Sequence, residues 1–194
     1  MKRTFGKQAQ RAGLALAAVG VFAALGIGAA QAAEFTSADI TIEPRGEDAG
    51  GLTCSWRETG VGPSAVVYYE CSAGAVGALK ACTYKNRVIY NSPTEVDVFK
   101  DVTGEHGAVP FLALNNGRIN GSTTTPIPHV EVPEGTPELC TEPSVEEVVA
   151  VRWCNASLTD VTNNLVGATV GELFQEFISG VGTVPSCTDL LASP

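Results

Sequence analysis

Six cysteines, Cys54, Cys71, Cys82, Cys140, Cys154 and Cys187, constrain what this chain can fold into more than any other feature. Their spacings of 17, 11, 58, 14 and 33 residues contain no C-x-x-C pair, whereas a zinc or iron–sulfur site brings two ligands close together in sequence. An even cysteine count without metal spacing reads as three disulfides, provided that the chain leaves the reducing cytoplasm.

The N-terminus meets that condition. Lys2, Arg3, Lys7 and Arg11 precede an uncharged run from Ala12 to Ala30, and Ala30-Gln31-Ala32 places small residues where a signal peptidase accepts only short side chains. This pattern predicts a cleavable secretory signal over residues 1–32 and a mature chain over 33–194. The run approaches the roughly 20 residues that span a bilayer, but its alanines and glycines make it weakly hydrophobic and a cleavage pattern ends it. Lys2 stands where a twin-arginine signal has its first arginine, so general secretion is the expected route. No cysteine stands directly after the expected cut, and the C-terminus is neither a hydrophobic tail nor a basic stop. The expectation is a soluble secreted or periplasmic protein with no membrane attachment after cleavage, and the alanine-rich signal looks bacterial.

Charge removes further classes. The chain carries 12 basic and 21 acidic residues, a net charge of −9; losing the four basic residues of the signal leaves 8 − 21 = −13. Such an acidic protein repels phosphate backbones and anionic membrane surfaces, so neither nucleic acid nor membrane is an expected partner.

The expected mature chain of 194 − 32 = 162 residues suits a single domain. Pro126, Pro128, Pro133, Pro137 and Pro143 predict an extended connector at 126–143, between an N-terminal β lobe and a C-terminal strand-plus-helix lobe. Three cysteines belong to each side, so at least one disulfide must join the lobes; of the fifteen connectivities nine cross once and six three times.

Period-two alternation predicts strands at Asp39–Glu43, Leu52–Glu58, Ala65–Ser72, Leu79–Tyr84, Arg87–Tyr90, Glu95–Val102 and Val109–Leu114. Leu52–Glu58 and Ala65–Ser72 flank Thr59-Gly60-Val61-Gly62-Pro63-Ser64 and read as a hairpin that sets Cys54 opposite Cys71. A turn at Gly74–Gly77 would equally allow Cys71 to reach Cys82. Asn116-Gly117 and Asn120-Gly121 are both candidate reversals. Val145–Asn155 reads as a central strand with Val149, Val151 and Trp153 on one face. Thr169-Val170-Gly171-Glu172 resembles a capping box, and Val170, Leu173, Phe174, Phe177 and Ile178 follow at helical spacing until Gly180. The fold class expected is mainly β, a disulfide-stapled antiparallel sandwich, with one C-terminal amphipathic helix.

No motif carries chemistry. There is no G-x-S-x-G elbow, and paired cysteines offer no thiolate nucleophile. Glu105 with His106, or His129 with Glu131, could ligate a metal, but each lacks a third ligand. Asp97, Asp101 and Glu105 lack a calcium loop's glycine and spacing. The glycine-rich stretches lack a phosphate loop's lysine. No catalytic, metal or cofactor residue is therefore assigned. The function expected is a non-enzymatic binding or cell-envelope protein that presents a surface from loops 59–64, 103–109 and 115–125, its protein or small-molecule partner unspecified. The alternatives are an inhibitor of extracellular hydrolases, using residues 121–128 as a rigid loop, and a small carboxylate hydrolase.

Overall fold

A computed structural model describes residues 32–44, 48–89, 93–104, 107–129 and 140–193. The predicted signal, but for Ala32, lies outside these residues, as do most of the proline-rich connector and Glu105, His106 and Glu131. Nine strands are described: β1 (Glu34–Ile42), β2 (Leu52–Thr59), β3 (Val66–Tyr84), β4 (Arg87–Val88), β5 (Thr94–Thr103), β6 (Val109–Leu112), β7 (Arg118–Thr125), β8 (Val145–Asp160) and β9 (Leu165–Glu176), followed by a short helix, α1 (Cys187–Ala192). The protein is mostly antiparallel β with three disulfides and one short C-terminal helical piece, as the sequence implies.

Two antiparallel sheets face each other. One runs β1-β2-β7; in the other, β3 pairs with β4, β5 and β6 along one edge and with β8 along the other, and β9 lies outside β8. Inward residues alternate with outward ones along β2, giving Leu52, Cys54, Trp56 and Glu58 to the interior. They meet Val67, Tyr69, Cys71, Ala73, Val76, Val151, Trp153 and Leu158 of the larger sheet. Trp153 is fully buried and donates its indole N–H to the Gly50 carbonyl at 2.8 Å, the partner a buried indole requires.

The predicted hairpin between Leu52 and Ser72 does not form. Both edges of β2 are taken, by β1 and β7, so β3 starts the opposite sheet and residues 60–65 carry the chain across. Cys54 still meets Cys71, but the bond joins the two sheets. Cys82–Cys140 links an early cysteine to a late one, and Cys154–Cys187 ties α1 to β8. Three disulfides fit an extracellular or other oxidising compartment. Among the described residues, no helix is long and apolar enough to cross a membrane.

The expected turn at Gly74–Gly77 is absent too, and β3 continues through it for 19 residues. Something else happens at Gly74. Ala73 packs in the core between the sheets, whereas Ala75, two residues on, belongs to a second apolar cluster; Ala156 and Cys154 of β8 divide in the same way. The ladders pair Ala73 with Val102 and Ala156, and Ala75 with Lys100 and Cys154; Ala156 and Cys154 in turn pair with Val170 and Glu172. One residue of each strand drops out between these pairs: Asp101, Gly74, Asn155 and Gly171. Asp101 and Asn155 have φ of 48° and 53°, the left-handed region that Asp and Asn tolerate best among residues with a Cβ. This row of kinks inverts the inward–outward alternation across β5, β3, β8 and β9.

The C-terminal helix is not where its apolar spacing places it. Residues 169–176 lie in β9, because Gly171 and the β-branched Thr169 and Val170 disfavour a helix and the open edge of β8 offers a full ladder. Phe174 stacks on the Arg152 guanidinium across that ladder, its ring centroid 4.7 Å away. Phe177 and Ile178 both donate backbone N–H groups to the Val149 carbonyl. The helix that forms, α1, is capped by Ser186, whose hydroxyl accepts from the Asp189 backbone N–H and donates to its carboxylate at 2.6 Å. Leu190 and Val184 then cover Ala75, Leu79, Val149 and Ala150 on the outer face of the larger sheet.

Candidate functional site

The uncovered end of that outer face carries an apolar platform. β3 opens with Val66-Val67-Tyr68-Tyr69; Val67 and Tyr69 are buried while Val66 and Tyr68 face outward, 48% and 46% exposed. Register brings them neighbours: Val66 pairs with Leu112 and Tyr68 with Pro110 on β6. From the β8–β9 turn, Val161 donates its backbone N–H to the Tyr68 carbonyl at 2.8 Å, and the Tyr68 N–H returns a bond to Thr162 Oγ1 at 2.9 Å. Val166 pairs with Thr159 at the head of β9. Leu112 is 67% and Val166 64% exposed, and Val161 is about half exposed. Isolated exposed apolar side chains are ordinary, but Val66 and Tyr68 beside Leu112 and Pro110, with Val161 on the adjoining turn and Val166 beyond Thr159, make an apolar area of the kind that marks an interaction surface.

Beneath the platform lies a buried acidic cluster. Period two places Glu58 inward after Leu52, Cys54 and Trp56, and neither Glu58 nor Asp160 at the end of β8 is exposed at all. Tyr69 donates its hydroxyl to Glu58 Oε2 at 2.6 Å. Burial pushes the Glu58 carboxyl up to about 7; the Tyr69 hydroxyl opposes that shift and the neighbouring Asp160 adds to it. Burial, then the Glu58 hydrogen bond, pushes the Tyr69 phenol up as well. Asp160 accepts from the Asn163 backbone N–H at 3.0 Å and from Asn163 Nδ2 at 2.6 Å, which pins the turn that carries Val161. Among the described residues, Glu58 Oε1 and Trp56 Nε1 are buried without a hydrogen-bond partner. The rings of Trp56, Tyr69 and Phe111 close over the cluster, with Trp56 and Tyr69 centroids 4.3 Å apart. Opposite Trp56 the chain needs Gly121, where a Cβ would lie 2.5 Å from the indole.

A second surface is the solvent face of the smaller sheet. A shallow trough of about 500 Å³ crosses its three strands between the rows Ser37–Arg57–Asn120 and Asp39–Ser55–Ser122. It holds one acid and one base.

The residues weighed for chemistry stay apart. His129 is exposed at the end of the segment after β7. Asp97 is held by Lys80 at 2.7 Å, and Asp101 belongs to the kink row. Among the described residues, no group of three or more His, Cys, Asp and Glu could hold a metal ion. The acids that do meet, Glu58 and Asp160, are sealed from any substrate. All six cysteines are paired. Of the expected presenting loops, 59–64 is a crossover between the sheets, and 115–125 is largely β7, paired with β2 along its length. Asn120-Gly121 is therefore no turn, and Gly121–Thr125 of the expected inhibitory loop is locked in a ladder. Asn116-Gly117 does reverse the chain, with Gly117 at φ 68°.

The sequence reading missed the platform and the acid pair, although both leave marks. Val66 and Tyr68 occupy the polar slots of an alternating strand, and Glu58 occupies an apolar one. No protein-family model, curated protein or solved structure matches this chain.

Proposed function

We propose that this chain is an exported, non-enzymatic binding module that takes a protein partner on the platform of Val66, Tyr68, Leu112, Val161 and Val166. The observation that carries this reading is the exposure of Val66 and Tyr68 beside Leu112, with exposed Val161 and Val166 on the adjoining turn and strand, on the outer face of a disulfide-stapled sheet. A rigid scaffold lowers the ordering cost of docking, since little conformational entropy is left to lose. The signal-like N-terminus and the disulfides support a secreted or periplasmic site of action.

Charge bears on the partner. A mature chain at −13 repels a second copy of itself, and an acidic protein attracts a basic rim. The partner we expect is therefore a basic protein with an apolar centre to its contact surface. The inhibitor alternative has less support, because most of its loop is strand, and the hydrolase alternative has less still, because its paired acids are buried.

The test is differential capture. The mature protein and a Leu112→Asp/Val166→Asp variant are immobilised and exposed to the native extracellular or periplasmic fraction. The expected result is a protein retained by the wild type, at least about tenfold less by the variant, and less at high salt, as screening demands. Equal retention by both, or none by either, overturns the reading.

A further inference from the structure

The buried acids of Glu58 and Asp160 have no part in docking itself, yet they sit directly under the turn that carries part of the platform. We propose that the proton on Glu58, buried beside Asp160, is a latch on the 161–164 turn, so that the platform is ordered while the proton is in place and loosens when it is lost. This rests on the reading of the platform as the binding surface.

The geometry is a short chain of contacts. Tyr69 of β3 donates to Glu58 Oε2, and Glu58 Oε1 is left with no hydrogen-bond partner among the described residues. Asp160 lies at the end of β8, with both carboxylate oxygens taken by Asn163. Thr162 and Val161, between them, hold the backbone of Tyr68. Among the described residues, the groups that act on Glu58 are Tyr69 from β3 and Asp160 from β8; its neighbours in register are Phe35 on β1 and Ile119 on β7, and no cation of these faces it. Two buried carboxyls that face no cation among the described residues cannot both carry charge cheaply, so Glu58 keeps its proton until solution pH removes it. Once both are charged, repulsion acts on Asp160, and the softer of the two attachments gives. Glu58 is fixed in the middle of the smaller sheet between β1 and β7, whereas Asp160 leads into an exposed turn of four residues. The carboxyl of Glu58 releases its proton at about 7, so the latch holds below that pH and opens above it.

Hydrogen exchange in the full mature chain tests this without any partner. Three backbone N–H groups report on the turn: Tyr68, Val161 and Asn163. Phe177, which donates to Val149 at the covered end, is the control. Relative to intrinsic exchange at each pH, protection of the three reporters is expected to fall at least about tenfold between about pH 5 and about pH 8.5, with Phe177 changing less than about threefold. In Glu58→Gln, which keeps an acceptor for Tyr69 and loses the titration, the reporters are expected to stay flat. Should that variant not fold, carbon-13 NMR of the Glu58 carboxyl in the wild type must titrate with the same midpoint as the reporters. Flat wild-type reporters, an unchanged response in the variant, or a Glu58 midpoint below about pH 5 each overturns the latch. A flat response leaves the capture result untouched, and equal capture by the platform variant leaves the exchange result untouched.

Discussion

The first half of β3 alternates buried and exposed residues from Val66 to Ala73, whereas Ala75 to Thr83 is buried almost without interruption. Both halves present apolar side chains outward from the same sheet. At the second half the chain supplies its own cover: Leu190 and Val184 lie on Ala75 and Leu79, Cys154–Cys187 fastens α1, and Lys100 Nζ holds the carbonyls of Leu191 and Ser193. At the first half nothing among the described residues returns to cover Val66, Tyr68 and Leu112. Had the platform been an ordinary outer face, the polar residues that alternation normally supplies would stand there. The comparison teaches that this sheet buries outward apolar surface at the end that α1 reaches, and that among the described residues the other end stays exposed.

The strongest way to break this contrast is to unfasten the cover. Replacing Cys154 and Cys187 together by Ser opens a 33-residue link and is expected to cost about 4 kcal/mol, from the loop entropy regained by the unfolded chain. Urea melts would measure it. A loss under about 1 kcal/mol would mean that the C-terminal segment holds its place unaided, and that cover and sheet are not coupled.

A somewhat smaller effect belongs to the open end. Because burial raises Glu58 from 4.5 to about 7, the folded protein binds this proton more tightly than the unfolded chain does. Stability from this group is therefore greatest below about pH 4.5, falls as pH rises to about 7, and stays low above. The full change is up to about 3 kcal/mol. Melts at pH 4.5 and 8 should show the wild type losing that much more than Glu58→Gln, the difference cancelling the other carboxyls. Identical pH slopes would remove Glu58 as a titrating group.

Truncating the cover without unfastening it comes next. Leu190→Ala removes a fully buried side chain from over Gly77, where Leu190 Cδ2 lies within 2.9 Å of the position a Cβ would take. A loss of roughly 2 to 3 kcal/mol is expected, at the low end for a core leucine because α1 can settle inward.

How much of this could be read beforehand follows from the range of each signal. Cysteine parity and period-two alternation are local, and they sufficed for a disulfide-stapled antiparallel β fold. Sheet membership is not local: Leu52–Glu58 and Ala65–Ser72 look like a hairpin until the edges of β2 are known to be taken. The helical spacing of Val170, Leu173, Phe174, Phe177 and Ile178 failed because the first three also suit a strand, which ends at Glu176, and an open neighbouring edge decided for it. The kink row was legible only as Gly74 and Gly171, with no hint that Asp101 and Asn155 stood beside them. Glu58 in an apolar slot of β2 was visible as an anomaly, but its partner Asp160 lies about a hundred residues away. Exposure of Val66 and Tyr68 depends on what fails to return over them, and that is a property of the whole fold.

The smallest expected effect is the most discriminating. Leu112 and Val166 are about two-thirds exposed, so they give up little water contact on folding, and an aspartate at either position needs no desolvation. Leu112→Asp/Val166→Asp should therefore change stability by less than about 0.5 kcal/mol each, as surface substitutions do, while Leu190→Ala on the same face costs several times more. If the platform variant were instead destabilised by about 2 kcal/mol or more, these side chains would have to be packed against something, and the chain itself would be covering both ends of the sheet. A near-neutral result means that the apolar character of the platform contributes nothing to the fold, which leaves contact with another molecule as the property it serves.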